Sequence, residues 1–183
     1  MRLFVGIPIA EKVKKNIMAF QKELFESGAD LKLVSTQNLH FTLKFLGEVS
    51  SHDVEKIKSK LEVIKMKKTI VELSGVGVFP NEKLVRVVWV GIKENKKFVS
   101  LVKNVQESLK DVKKEDYSQV VVHLTVARVQ SSLNFGKLLG AVKKFQGNSF
   151  GSFVVDRFVL YESVLTGKES VYYVIKEFRT TDL

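Results

Sequence analysis

The stretch Asn38-Leu39-His40-Phe41-Thr42-Leu43-Lys44-Phe45-Leu46 alternates polar and apolar side chains. Successive side chains of a β-strand point to opposite faces of the sheet, so this stretch is predicted to be a strand with two unlike faces. The alternation places His40, Thr42 and Lys44 on one face. On the other face it places Phe41, Leu43 and Phe45. The apolar face belongs in a core, which leaves an imidazole and a hydroxyl facing a cleft.

The same pattern occurs a second time in Val120-Val121-Val122-His123-Leu124-Thr125-Val126-Ala127-Arg128. Here His123 and Thr125 share a face, and the apolar residues between and after them share the other. The chain has 3 His in total, and two of them have Thr two positions later. The repetition predicts two strands that face each other across one groove, each presenting an imidazole and a hydroxyl.

Composition limits the class of protein. The chain has 183 residues, of which 45% are hydrophobic and 27% are charged, and this is typical of a globular domain with a substantial core. The formal net charge of +10 favours a polyanionic partner, nucleic acid first, although a lysine-coated protein without such a partner has the same charge. The absence of Cys excludes disulfides, thiolate catalysis and cysteine-containing zinc sites.

The chain shows no membrane or export signal. Its apolar runs, such as residues 85–92 with Arg86 inside, are too short to span a bilayer. Pro8 and the charges that follow it interrupt any signal-peptide core. These features predict an intracellular, cytoplasmic protein.

Apolar periodicity predicts an α+β chain. Helices are expected over about residues 13–28, 51–64, 94–112 and 135–145. Besides the two motif strands, strands are expected over residues 2–7, 31–34, 69–79, 84–92, 150–162 and 171–178, with a hairpin loop at residues 165–168. No linker or low-complexity tract interrupts the chain, so residues 1–183 are predicted to form a single domain. A His-x-Thr strand, a helix and two strands follow one another once in each half of the chain, which predicts two similar lobes around one cleft.

The two motifs resemble the paired His-x-Thr-x motifs of the 2H phosphoesterase superfamily, and most closely those of the RNA 2′,3′-cyclic phosphodiesterases, also called 2′-5′ RNA ligases. Residues 1–7, 43–49 and 160–163 are also similar to that family, so the resemblance covers nearly the whole chain. One position differs: the family commonly has Pro before the second His, where this chain has Val122. The resemblance implies a bilobal α+β fold with two pseudo-symmetric lobes. Each lobe would be an antiparallel sheet with outer helices, and the His-x-Thr strands would line the central cleft.

The resemblance also implies roles for five residues. His40 would be the proton donor to the departing O3′, and His123 the proton acceptor that activates water. Thr42 and Thr125 would bind the phosphate, and Arg128 matches a family position that could add a charge-assisted bond to it. Imidazole chemistry agrees, because histidine can both give and take a proton near pH 7, but the sequence itself treats the two His alike.

Other residues admit more than one interpretation. Arg128 lies five positions after His123 and would face away from it in a regular strand, so a phosphate contact requires a twist or a bulge; otherwise Arg128 is a surface or structural ion pair. Lys44 is either a contact to the RNA backbone or a solvated edge residue. His52 has no Thr two positions later and is expected at the surface. Two His without Cys supply fewer ligands than a typical metal site has, so neither a metal nor a cofactor is expected.

The leading hypothesis is a metal-independent RNA 2′,3′-cyclic phosphodiesterase that leaves 2′-phosphate ends. In reverse it would join a 2′,3′-cyclic end to a 5′-hydroxyl through a 2′-5′ linkage without ATP. Its partner would be RNA with a 2′,3′-cyclic phosphate end, tRNA fragments included, and it would act as a monomer away from membranes. Two alternatives stay open: a non-catalytic module that binds RNA ends, and a phosphodiesterase for a small cyclic nucleotide.

Overall fold

Two halves of one antiparallel sheet carry the two His-x-Thr motifs. A computed structural model describes residues 1–112, 121–167 and 169–180. Within these residues the elements are β1 Arg2–Pro8, α1 Glu11–Glu26, β2 Leu31–Leu33, a 3-10 helix at Thr36–Asn38, β3 His40–Glu48, α2 Asp53–Glu62, β4 Thr69–Asn81, β5 Leu84–Ile92, α3 Lys96–Ser108, β6 Leu124–Val129, α4 Phe135–Lys144, β7 Ser149–Val155, β8 Arg157–Thr166 and β9 Glu169–Arg179. The α+β class predicted from the periodicity is confirmed.

The strand order is β7-β4-β5-β6-β3-β1-β8-β9, with β2 pairing beside β6. The middle of the chain supplies β4 to β7, and its two ends supply β1, β3, β8 and β9. The two four-stranded halves meet where β3 pairs with β6, at Phe41 opposite Leu124. The repeat seen along the sequence therefore does not correspond to the two halves of the sheet, because strands that are neighbours in space come from distant parts of the chain.

Helices cover the sheet through the apolar stripes that the sequence predicted. The stripe of α1, at Val13, Ile17, Phe20 and Leu24, is buried against β7 and α4. Burial of each such side chain contributes about 1.5–3 kcal/mol, so these contacts hold the helix in place despite its weak N-cap. On the other half, α3 packs on β3, and α2 packs on α3 and β9. Within the described residues, no helix is both long and apolar enough to cross a membrane.

Two predicted strands differ from the observed ones. Residues 150–162 do not form one strand: β7 ends at Val155, β8 begins at Arg157, and the two lie in different halves of the sheet. The break falls at Asp156 and Arg157, whose charges suit a crossover better than a buried ladder, and the two side chains form an ion pair at 3.2 Å. The second motif strand begins at Leu124, so His123 directly precedes it; Val120 lies outside the described residues, as does Lys168 of the predicted hairpin loop.

Candidate active site

The pairing of β3 with β6 brings the two motifs together. Phe41 and Leu124 are opposite each other and their side chains are buried, at 1% and 0% exposure. Antiparallel partners run in opposite order, so His40 comes opposite Thr125 and Thr42 comes opposite His123. Side chains alternate between faces, so all four project from the face opposite the core. The structure thus places two imidazoles and two hydroxyls around a local two-fold axis.

Both imidazoles are oriented by the same local hydrogen bond. Nδ1 of His40 lies 2.6 Å from the carbonyl oxygen of Asn38, and Nδ1 of His123 lies 2.9 Å from that of Val121. A carbonyl oxygen can only accept a hydrogen bond, so each Nδ1 carries the proton and donates it. In each neutral ring Nε2 is then the basic nitrogen. The hydroxyl of Thr42 lies 3.0 Å from Nε2 of His40 and donates to it.

Aromatic rings lie against both histidines, three at His40 and one at His123. The ring of His40 lies 4.8 Å from Phe4, 5.2 Å from Tyr172 and 6.4 Å from Tyr161, and a cavity of about 300 Å³ opens beside it. The ring of His123 meets Phe79 edge-on at 4.9 Å, beside a cavity of about 280 Å³. The sequence interpretation missed these four aromatic residues.

A signal for two of them was present in the sequence. Phe4 lies in residues 1–7 and Tyr161 in residues 160–163, two stretches that resemble the family. Tyr172 and Phe79 reach the site only through the pairing of β9 with β8 and of β4 with β5, and no local pattern in the sequence indicates it.

Burial lowers the pKa of His40 to about 4. The low polarity around the partly buried ring disfavours its charged form, and the nearby Arg128 and His123 act on the pKa in the same direction. The hydrogen bond to the carbonyl of Asn38 opposes them. His40 is therefore neutral at pH 7 when no anion is bound.

A bulge in β6 turns Arg128 toward the cleft. Trp89 pairs with Thr125 and Val88 with Ala127, so Val126 is an extra residue without a partner in β5. The alternation shifts by one position there, which buries Ala127 and exposes Arg128. Arg128 consequently acts on both His40 and Tyr172 through its charge. Among the described residues it has no acidic partner within salt-bridge distance, so it is not a structural ion pair of this part of the chain.

An equivalent bulge in β3 overturns two of the predictions from alternation. Gly6 pairs with Thr42 and Val5 with Lys44, which leaves Leu43 as the extra residue. Lys44 is therefore buried, at 2% exposure, and is neither a solvated edge residue nor placed to contact RNA. Phe45 was expected in the core but is 50% exposed, and its ring lies 6.2 Å from that of Phe4 on the cleft face.

Two further expectations concern His52 and metal ligands. The side chain of His52 is 98% exposed and lies 3.8 Å from Asp53, which agrees with a surface residue. Within residues 1–112, 121–167 and 169–180, no three His, Asp or Glu side chains come close enough together to hold a metal ion.

Replacing Arg128 by glutamine is expected to raise the pKa of His40 above about 4, because the change removes a positive charge that disfavours the imidazolium. Titration of the imidazole signals by NMR measures this directly. Arg86→Gln is the matched control, since Arg86 is an exposed arginine of β5 that is not among the charges acting on His40. An unchanged pKa in Arg128→Gln would place the guanidinium away from the imidazole.

Comparisons with known proteins extend these observations. The sequence model of the family LigT like Phosphoesterase matches residues 7–89. A protein of Methanocaldococcus jannaschii named RNA 2′,3′-cyclic phosphodiesterase is 37% identical over 97% of this chain and 100% of its own length. One of the same name from Archaeoglobus fulgidus is 35% identical over 97% and 99%. Among solved structures, TT0787 of Thermus thermophilus (TM-score 0.81, 24% identity, 98% and 97% coverage) and E. coli LigT complexed with 3′-AMP (0.82, 22%, 99% and 98%) have the same fold.

Proposed function

The chain belongs to the LigT-like phosphoesterases of the 2H superfamily, and from this membership we propose that it hydrolyses the 2′,3′-cyclic phosphate ends of RNA to 2′-phosphates. The observation that carries the proposal is the antiparallel pairing of the two His-x-Thr motifs. It provides one imidazole for each side of a phosphate, and the opening of a cyclic phosphodiester needs one base and one acid.

The proposed reaction uses the two Nε2 atoms in one displacement step. Nε2 of His123 takes a proton from water as the water oxygen forms a bond to phosphorus. The bond from phosphorus to O3′ breaks, and protonated His40 gives its proton to O3′, which leaves the phosphate on O2′. Each proton transfer of this kind contributes about 10²–10⁴ in rate. A 5′-hydroxyl of RNA in place of water would give a 2′-5′ linkage without ATP.

The low pKa of His40 fits the role of acid once substrate is bound. An anionic phosphate beside an imidazole favours its charged form and so raises its pKa. The burial that keeps His40 neutral in the free site also strengthens this effect, because charges interact more strongly where water is excluded. Binding of the phosphate would thus bring a proton to His40 when it is needed.

Three side chains are proposed to hold the phosphate. The hydroxyls of Thr42 and Thr125 are proposed to donate to its non-bridging oxygens, where negative charge grows in the transition state. Arg128 has no acidic partner among the described residues, so its guanidinium can pair with the anion. The mechanism itself requires no metal ion or cofactor.

RNA is the proposed substrate, with tRNA fragments that carry cyclic ends as candidates. The net charge of +10 favours a phosphate polymer, and the half-exposed ring of Phe45 offers a face on which a base can stack.

The proposal is tested with an oligonucleotide that carries a 2′,3′-cyclic phosphate, incubated with the protein in excess EDTA. The expected product is the 2′-phosphate, formed at the same rate as without EDTA, because two imidazoles do the proton transfers. An unchanged end, a 3′-phosphate product or a rate abolished by EDTA would contradict it. Parallel assays with a mononucleotide cyclic phosphate at several salt concentrations identify the substrate class, since only a polymer held along its backbone loses affinity steeply with salt.

A further inference from the structure

The two motif strands share an irregularity at the same position. Leu43 lies three residues after His40 and Val126 three residues after His123, and each is the extra residue of a β-bulge. From Phe41 and from Leu124 onward, the two strands have the same sequence of burial: buried, partly buried, buried, buried, exposed. The exposed residue that ends this sequence is Phe45 in one strand and Arg128 in the other.

A glutamine from the covering helix binds the carbonyl oxygen of each bulge. Gln21 of α1 donates from Nε2 to the carbonyl of Val126 at 2.9 Å and to that of Val34 at 2.8 Å. Gln106 of α3 donates from Nε2 to the carbonyl of Leu43 at 3.2 Å. A bulge disrupts the regular ladder of hydrogen bonds, and a side-chain amide can add a donor there. At Val126 the amide of Gln21 is a second donor, because the backbone N–H of Val34 also donates to this carbonyl, at 3.0 Å.

Gln21 is an unusual core residue for this chain. It is 6% exposed, and the only other buried polar side chain among the described residues is Lys44, at 2%. A buried amide costs free energy unless it is hydrogen-bonded. One carbonyl that Gln21 binds is that of the bulge residue Val126, and the other is that of Val34, just after β2. Gln21 therefore ties the bulge to the segment beside it.

We propose that Gln21 and Gln106 are positioning residues that hold the two bulges and thereby turn Arg128 and Phe45 into the cleft. The part that concerns catalysis rests on the proposed function. Neither glutamine touches the phosphate; each acts through the side chain two residues beyond the bulge. In their absence the strands can return to regular alternation, which would direct Arg128 and Phe45 toward the core face.

Gln21→Met tests the first half of the proposal, because methionine has a similar length and shape but cannot donate a hydrogen bond. The expected results are a rise in the pKa of His40 toward its value in Arg128→Gln, and a fall of about 10- to 100-fold in kcat/KM for the cyclic oligonucleotide. In the Arg128→Gln background, Gln21→Met should add little to either change, because both act through the same guanidinium.

Asn16→Leu is the matched control. Asn16 also lies on α1 and donates from its amide to a strand carbonyl, that of Phe150 at 3.0 Å, but β7 carries no motif. It should lower the melting temperature without moving the pKa of His40 or kcat/KM. If Gln21→Met behaves like Asn16→Leu, Gln21 is only structural and the proposal is wrong.

Gln106→Met gives an independent test should Gln21→Met fail to fold, since Gln106 is only partly buried. Gln106→Met and Phe45→Ala are each expected to raise KM for the oligonucleotide, and the two changes together should not add. Full additivity would overturn the proposal. If the wild-type protein has no cyclic phosphodiesterase activity, the proposed function fails, whereas the pKa of His40 in Gln21→Met still decides whether the bulge is held by Gln21.

Discussion

Exchange of either His40 or His123 for glutamine is expected to lower kcat for hydrolysis of a 2′,3′-cyclic phosphate by about 10²–10⁴. Glutamine can still form hydrogen bonds, but it neither takes a proton from water nor gives one to O3′. The antiparallel register of β3 and β6 puts the two imidazoles on one face, so each loss should be large.

Single-turnover rates with saturating enzyme measure this effect without interference from product release. The double variant should lose much less than the product of the two single losses, because the two imidazoles act in one step. His52→Gln is the control, since this exposed histidine lies outside the cleft and its replacement should leave the rate unchanged. A single variant that keeps full activity would remove that histidine from the mechanism.

The second large effect is expected from the motif hydroxyls: Thr42→Val and Thr125→Val should each lower kcat by about 10²–10³. Valine keeps the branched shape and removes only the donor. The loss should fall on kcat more than on KM, because the hydroxyls meet the negative charge that grows in the transition state.

We would measure kcat and KM for both variants and for Thr166→Val. This control shows whether a Thr→Val exchange outside the cleft also affects the reaction. Thr166 lies exposed at the end of β8, where its hydroxyl donates to the carbonyl of Glu169, so its replacement should leave kcat unchanged. An oxyanion-type donor is expected to contribute about 10²–10³ to kcat. If kcat falls by less than about threefold in both motif variants, other groups bind the phosphate oxygens.

The sequence predicted the faces of the side chains correctly as far as the fourth residue of each motif. Alternation assigns His40 and Thr42 to one face and Phe41 to the other, and this requires only that the chain be extended. It fails immediately afterwards, because a bulge at Leu43 exchanges the faces of Lys44 and Phe45. A bulge depends on partner strands and on donors from a distant helix, and neither is encoded within the strand.

Arg128 illustrates the same limit from the other side. Arg128 lies five residues after His123, so in a regular strand it would face away from the cleft. From the sequence one could infer only that a bulge or a twist is needed to bring it there. The bulge at Val126 exists, and one of its hydrogen-bond partners, Gln21, lies 105 residues earlier in the chain. The break between β7 and β8 at Asp156 was likewise missed, because β-forming residues lie directly before and after it.

The imidazoles of His40 and His123 are proposed to act on a single phosphate. A crystal structure of the protein with a nucleoside 2′-phosphate tests this arrangement. We expect Nε2 of both rings to lie within hydrogen-bond reach, about 2.6–3.2 Å, of oxygens of the same phosphate. A phosphate bound to one imidazole alone, or outside the groove between β3 and β6, would contradict it.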